Sequence, residues 1–207
     1  RVDLNGGTMT LGGNVTLNPG SVSTAGSRIG TPSGALGAGA ISVVAGGSLT
    51  LNTTGGGDTG VLTSGNVFLE GNTVSIADTV RGNNVNIHGS SGVSLSGFAN
   101  IAAQGILDAL TIEVNSGAFS NTASANPLTT PNGRWLLFSV NPANDTRGSL
   151  VHDFKLYGTI PPGLGLPSTG NGLLYSVTPS VTTSLVGPVS KAYDGTDVAT
   201  LSAGNYS

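Results

Sequence analysis

The step from Glu70 to His88 equals the step from Val67 to Val85, the valines lying three positions before them. Each valine opens a phrase of alternating residues, Val67-Phe68-Leu69 and Val85-Asn86-Ile87. Stacked one over the other, the two phrases put Glu70 and His88 at the same corner of successive layers. Asn52 is expected one layer before them, and Asp108 or Ala109 one layer after. A carboxylate beside an imidazole favours the protonated ring, which makes the pair a candidate ligand-binding point. The plain alternative is a solvated row of corner residues. No third donor has a matching spacing, so no metal and no cofactor is expected.

Other residue types in the chain could also do chemistry. Asp58 and Asp78 are separated by about one layer, and stacked carboxylates facing one groove could cleave polysaccharide. As turn residues they would instead be solvated, and an Asp78–Arg81 surface pair is worth at most about 1 kcal/mol. His152 and Asp153 are adjacent, and neighbours on a strand point to opposite faces, which spoils a triad. No Gly-x-Ser-x-Gly elbow precedes a helix, and no Gly-Lys-Ser/Thr follows the glycine-rich runs. Thr8-Met9-Thr10 alone has the form of an ice-binding ladder. Trp135 could stack on a sugar ring, although a tryptophan in an apolar run is more often core. No enzyme activity is expected.

The elements that must position these residues are short strands. Leu49-Thr50-Leu51, Val74-Ser75-Ile76, Val93-Ser94-Leu95 and Leu110-Thr111-Ile112 repeat the same apolar–polar–apolar phrase between Gly, Asn and Ser turns. Alternation with period two means a strand with one buried face. Leu49, Val67 and Val85 step by 18, Val74 and Val93 by 19, and Ile41, Val61, Val80 and Ile101 by 20, 19 and 21. One near-common period shared by several strand families predicts an all-β fold: a right-handed parallel β-helix of about six coils of 18–21 residues, in which neighbouring coils complete each core. At ~4.8 Å per coil this is a rod of about 30 Å. Gly26–Gly39 reads as a loop pushed out of one coil.

Composition narrows the possibilities. The chain has no cysteine, so it has neither a disulfide framework nor a thiolate site. Only 8% of residues are charged and the net charge is −3, which leaves no basic footprint for nucleic acid. No apolar run approaches the ~18 residues of a membrane span. Residues 1–118 hold two aromatics and two prolines, whereas 119–207 hold eight of each. Three segments are therefore expected: a shaft over 1–118, an aromatic capping or extension segment over 119–176, and the start of a further β module over 177–207. Arg134–Ser139 should be a buried strand, with Asp153–Tyr157 paired nearby. Lys191–Thr196 is a turn signal. The chain begins at Arg1 in mid-phrase, as a piece of a longer protein would.

These segments resemble a known family. The coils resemble the shafts of large exoproteins of the filamentous-haemagglutinin type, exported by two-partner secretion. The run GRWLLFSVNPANDTRGSL, followed by DFKLYG, resembles the segment such proteins carry after the shaft, through Gly133, Arg134, Trp135, Ser139, Asn141, Pro142, Phe154, Lys155 and Tyr157. KAYDGTDVATLSAGNYS resembles the start of a YDG or MBG-type repeat, through Tyr193, Asp194 and Gly195. The resemblance implies a secreted adhesin at the surface of a Gram-negative bacterium. Its partners would be an outer-membrane transporter for the parent protein and a cell-surface or biofilm-matrix glycan or protein receptor. From the apolar runs alone, no membrane span is expected. Absence of cysteine suits export through an oxidising periplasm. Two alternatives stand beside it: a polysaccharide-processing lyase or hydrolase, and a carbohydrate-binding module using the Gly26–Gly39 loop or the aromatic segment.

Overall fold

Branched apolar residues alternating with small polar ones make strands that bury one face and wet the other. A computed structural model describes residues 8–11, 15–17, 28–30, 39–52, 60–123, 126–180, 182, 184–186, 192, 194–196 and 203–205. The fold is all-β, with one short 3₁₀ turn at Ala203–Asn205. Contacts divide the chain into two units, 1–177 and 178–207. Among the described residues no helix is long and apolar enough to cross a membrane.

In the first unit the strands come in successive tiers. The first tier holds β1 (Thr8–Leu11), β2 (Val15–Leu17) and β3 (Arg28–Gly30). The second holds β4 (Ile41–Ala45), β5 (Leu49–Leu51) and β6 (Gly60–Leu62). β7 (Val67–Ile76) with β8 (Thr79–Gly82) forms the third, and β9 (Val85–Leu95) with β10 (Asn100–Ala103) the fourth. The fifth contains β11 (Leu107–Val114), β12 (Ala118–Asn121) and β13 (Leu128–Thr129). β14 (Gly133–Ser139), β15 (Phe154–Tyr157) and β16 (Gly172–Tyr175) come after these. They form an 11-stranded and a 5-stranded sheet. Every strand pairing among the described residues is parallel.

Pairing in register turns each buried position into a column. Ile41, Val67, Val85, Leu110 and Trp135 lie over one another, as do Val43, Leu69, Ile87, Ile112, Leu137 and Leu173. Leu49, Val74, Val93 and Phe119 form a third column, and Ile29, Val61, Val80, Ile101 and Leu128 a fourth on the smaller sheet. All of these side chains are buried. Burying each one contributes about 1.5–3 kcal/mol of transfer free energy. Gly89 marks a corner inside β9, where a Cβ would collide with the Gly92 carbonyl oxygen. Just past it β9 carries one more residue than β7, a bulge that keeps both halves facing inward. That residue explains the step of 18 at Val67–Val85 against 19 at Val74–Val93.

The tier length is not uniform, which corrects the expected period. Ile41 pairs with Val67, not Val61, and Leu49 with Val74, not Val67. Along the Ile41 column the sequence steps between partners are 26, 18, 25 and 25. The surplus is absorbed between strands, where added length costs little loop entropy. Gly26–Gly39 contains strand β3, which pairs with β6, and its remainder lies almost wholly outside the described residues.

The ladders run on through residue 118 to the end of the first unit. Arg134–Ser139 falls in β14, a strand buried on both faces: Trp135 and Leu137 face the main core, while Leu136 and Phe138 pack with Leu174, Phe154 and Leu166. β15 is paired nearby, as expected, though not directly on β14. β16 sits between them. Gly172–Tyr175 is wholly buried and takes the central slot, and half-buried β15, carrying Lys155, takes the edge. In the second unit Asp194 Oδ1 accepts hydrogen bonds from the Thr196 N–H (2.9 Å) and hydroxyl (2.8 Å), with Gly195 at φ +81°, so the expected turn is present. Lys191 and Tyr193 lie outside the described residues.

Val85 is fully buried mid-column. Val85→Asp puts an unpaired carboxylate there, and we expect a loss of at least about 3 kcal/mol, read by urea or thermal unfolding. A wild-type midpoint would contradict the column.

Candidate functional site

The outward positions of the large sheet also form columns. Val44, Glu70, His88, Glu113 and Phe138 stand in register on β4, β7, β9, β11 and β14. Glu70 and His88 are thus neighbours, as the spacing predicts. Their other neighbours differ from expectation: Val44 precedes them in place of Asn52, and Glu113 follows in place of Asp108 or Ala109. The cause is tier length, since the tier that carries the chain from His88 to Glu113 is longer than the one from Glu70 to His88.

Glu70 Oε1 lies 3.7 Å from His88 Nδ1, and Asn115 Nδ2 lies 2.8 Å from His88 Nε2. The two ring nitrogens of His88 thus face different neighbours, a carboxylate on one side and an amide on the other. The 3.7 Å contact is too long for a hydrogen bond. With both side chains partly exposed it contributes at most about 1 kcal/mol. Glu70 and Glu113 are two tiers apart, roughly 9.6 Å along the stack, near the wide end of the spacing of inverting glycosidases. The strand between them carries His88, where the water and the sugar bond would have to lie. The row borders two hollows that share Glu113. One, of about 180 Å³, lies among Phe68, Asn86, His88 and Thr111; the other, of about 320 Å³, among Asn115, Phe138, Ile160 and Ser176.

The remaining candidates go elsewhere. Trp135 is buried in the main core, and its backbone N–H donates to Asn171 Oδ1 at 3.0 Å, so its ring is core and not a stacking platform. Asp78 is buried, and its Oδ1 accepts from the Thr79 N–H at 2.6 Å. Asp58 lies outside the described residues. Asp153 Oδ2 accepts from the Asn171 N–H at 2.6 Å. The His152 imidazole is held below its ordinary pKa, by partial desolvation first and then by Lys155 and Arg147. Among the described residues no three His, Asp or Glu gather to hold a metal ion.

Of the residues that carry the resemblance, those from Gly133 to Tyr157 lie on β14, on β15 and on the segment between them. Gly133 is crowded by the Leu107 carbonyl, 2.6 Å from where a Cβ would stand. Arg134 Nε donates to Asp108 Oδ1 at 2.5 Å, and its Nη1 donates to the Pro167 carbonyl. Ser139 Oγ donates to Asp145 Oδ1 at 2.9 Å, and Asn141 Oδ1 accepts from the Ala143 N–H at 3.0 Å, opening the turn in which Pro142 O accepts from the Asp145 N–H. The Phe154 ring lies 5.9 Å from the Arg134 guanidinium carbon, Lys155 stands in register with Leu173, and the Tyr157 and Tyr175 rings are 5.6 Å apart.

Asp145 and Tyr175 are the polar pair the sequence did not disclose. Asp145 Oδ1 accepts from the Phe119 N–H at 2.8 Å and from Ser139, while Oδ2 is buried with no partner among the described residues. Burial pushes its carboxyl above the ordinary value, against these hydrogen bonds and Arg147. The Tyr175 hydroxyl is also buried, and it too lacks a partner among the described residues; burial, then the charge of Asp145, pushes it up to about 12. The only signal was a tyrosine closing an otherwise apolar run, Gly172–Tyr175. No family model, no curated protein and no solved structure matches the chain.

A carboxyl raised on folding contributes stability that is present below its ordinary pKa and lost as pH rises through the raised value. Asp145→Asn should therefore match wild type in acid and gain on it toward neutral pH, in thermal unfolding between about pH 3 and 7. Parallel curves would refute this. Tyr175→Phe, which removes an unsatisfied hydroxyl, should leave unfolding free energy unchanged or raise it by up to about 1 kcal/mol.

Proposed function

We propose that the chain is a right-handed parallel β-helix serving as part of the shaft of a secreted or surface-attached bacterial adhesin. The proposal places it in a filamentous-haemagglutinin-like exoprotein at a Gram-negative cell surface, exported through a two-partner outer-membrane transporter. The partner is a glycan or protein of a cell surface or biofilm matrix.

One observation supports the reading most: among the described residues of the first unit, parallel pairing carries on from tier to tier, with only two local register shifts. Backbone hydrogen bonds in such a stack run along its axis, so each tier is tied to the next by a whole ladder. Tension along the axis is shared among many bonds, and continuous apolar columns keep water from them. This suits a part that must extend and hold. The family-like residues from Gly133 to Tyr157, on and between the last strands of the first unit, suit the end of a shaft.

Displayed on a non-adherent Gram-negative host, the chain should increase retention on cell- or matrix-coated surfaces under flow. The purified chain should release no reducing sugar or unsaturated uronate from a polysaccharide panel. Turnover on that panel would replace this reading with an enzymatic one, and unchanged retention would remove the adhesive part.

A further inference from the structure

A hollow of about 220 Å³ lies where β11 and β14 begin, lined by Leu107, Asn132, Arg134, Ser168, Thr169 and Gly170. We propose that it binds a single hexuronate unit of an acidic polysaccharide, with Arg134 as the anchor for the carboxylate. The inference rests on the adhesive reading only in choosing a polymer over a free sugar acid.

Arg134 is 9% exposed. A guanidinium has five N–H donors. One is spent on Asp108 through Nε and one on the Pro167 carbonyl through Nη1. With the Phe154 ring near its carbon, these contacts hold the group in place, and three N–H donors at the Nη1–Nη2 end have no hydrogen bond among the described residues. That end matches a planar carboxylate through two parallel hydrogen bonds, and a group already held in place loses little freedom on binding. Asp108 balances the charge from the Nε side, so recognition depends on geometry at short range.

The rest of the lining suits a sugar ring. Ser168 and Thr169 are exposed, and among the described residues no hydrogen bond engages their hydroxyls. Asn132 Nδ2 donates to the Gln104 carbonyl at 2.9 Å, which leaves Oδ1 to accept from a ring hydroxyl. Leu107 is 72% exposed at φ +58°, a conformation L side chains rarely adopt. A register shift between Asp108 and Leu110 adjoins it. Strain of this kind persists where its surroundings over-determine it and gathers at binding sites. Here it presents an apolar wall to the C–H face of a ring. The volume is below the ~300–1,000 Å³ of sites for drug-sized ligands, so one ring enters and its neighbours pass out over Ser168 and Thr169.

Calorimetric titration of the 207-residue chain with trigalacturonate, galacturonate and neutral galactotriose tests this. Trigalacturonate should bind saturably, with galactotriose at least about tenfold weaker, as expected for loss of a charge-assisted pair. Ser168→Ala with Thr169→Val should weaken binding about tenfold at an unchanged unfolding temperature. Leu107→Gly relieves the backbone, so it should hold or raise that temperature while weakening binding. A Leu107 with only a structural role would leave binding untouched. Absence of saturable trigalacturonate binding, or equal affinity for galactotriose, overturns the proposal and leaves the surface-retention result standing. Galacturonate bound as tightly as its trimer overturns the polymer assignment.

Discussion

The parallel backbone ladder, kept in register from tier to tier, is the constraint on which the rest of the first unit depends. A one-residue slip in any pairing would send an entire set of side chains to the opposite face. Columns such as Val43, Leu69, Ile87, Ile112, Leu137 and Leu173 make such a slip costly, because each member packs on the member above and below. The same ladder orders the wet face. Glu70, His88 and Glu113 meet because the buried residues beside them are locked.

How much of this was legible in the sequence depends on where chain length was inserted. Val67 over Val85, Val74 over Val93, and Val61 over Val80 over Ile101 were readable, because those steps contain little besides strand and corner. Ile41 over Val67 and Leu49 over Val74 were not, since those partners are separated by longer stretches and their phrases also recur at shorter distances. An error in register propagates outward, which is why Glu113 was missed as the next neighbour of His88. The buried strand at Arg134–Ser139 was plain from its apolar run, but the interposition of β16 was not. Strand order at an edge follows from comparing burial across segments, and no local pattern encodes it.

The polar groups divide along the same line. Asn115 on His88 and Asp108 on Arg134 are contacts between residues 27 and 26 positions apart, set by the tier step and invisible to a motif search. Asp145 and Tyr175 come together through Ser139, which holds the first by a hydrogen bond and the second by strand register. Local signals there announced only a turn and an apolar strand. The aromatic enrichment after residue 118 suggested a covering segment, whereas Phe119, Trp135 and Tyr175 lie buried in the main core.

The order of the last three strands sets a sequence of assembly. Up to β14 each strand can be laid on one already in place, so the stack can grow as the chain is delivered from its amino-terminal side. β15 arrives next, and its strand partner is β16, which has yet to arrive. It must wait, unpaired, until 172–175 slides between it and β14. Completion of this end is thus a latch that shuts on two strands at once, and a chain halted between them would leave the β14 edge open to any strand passing by.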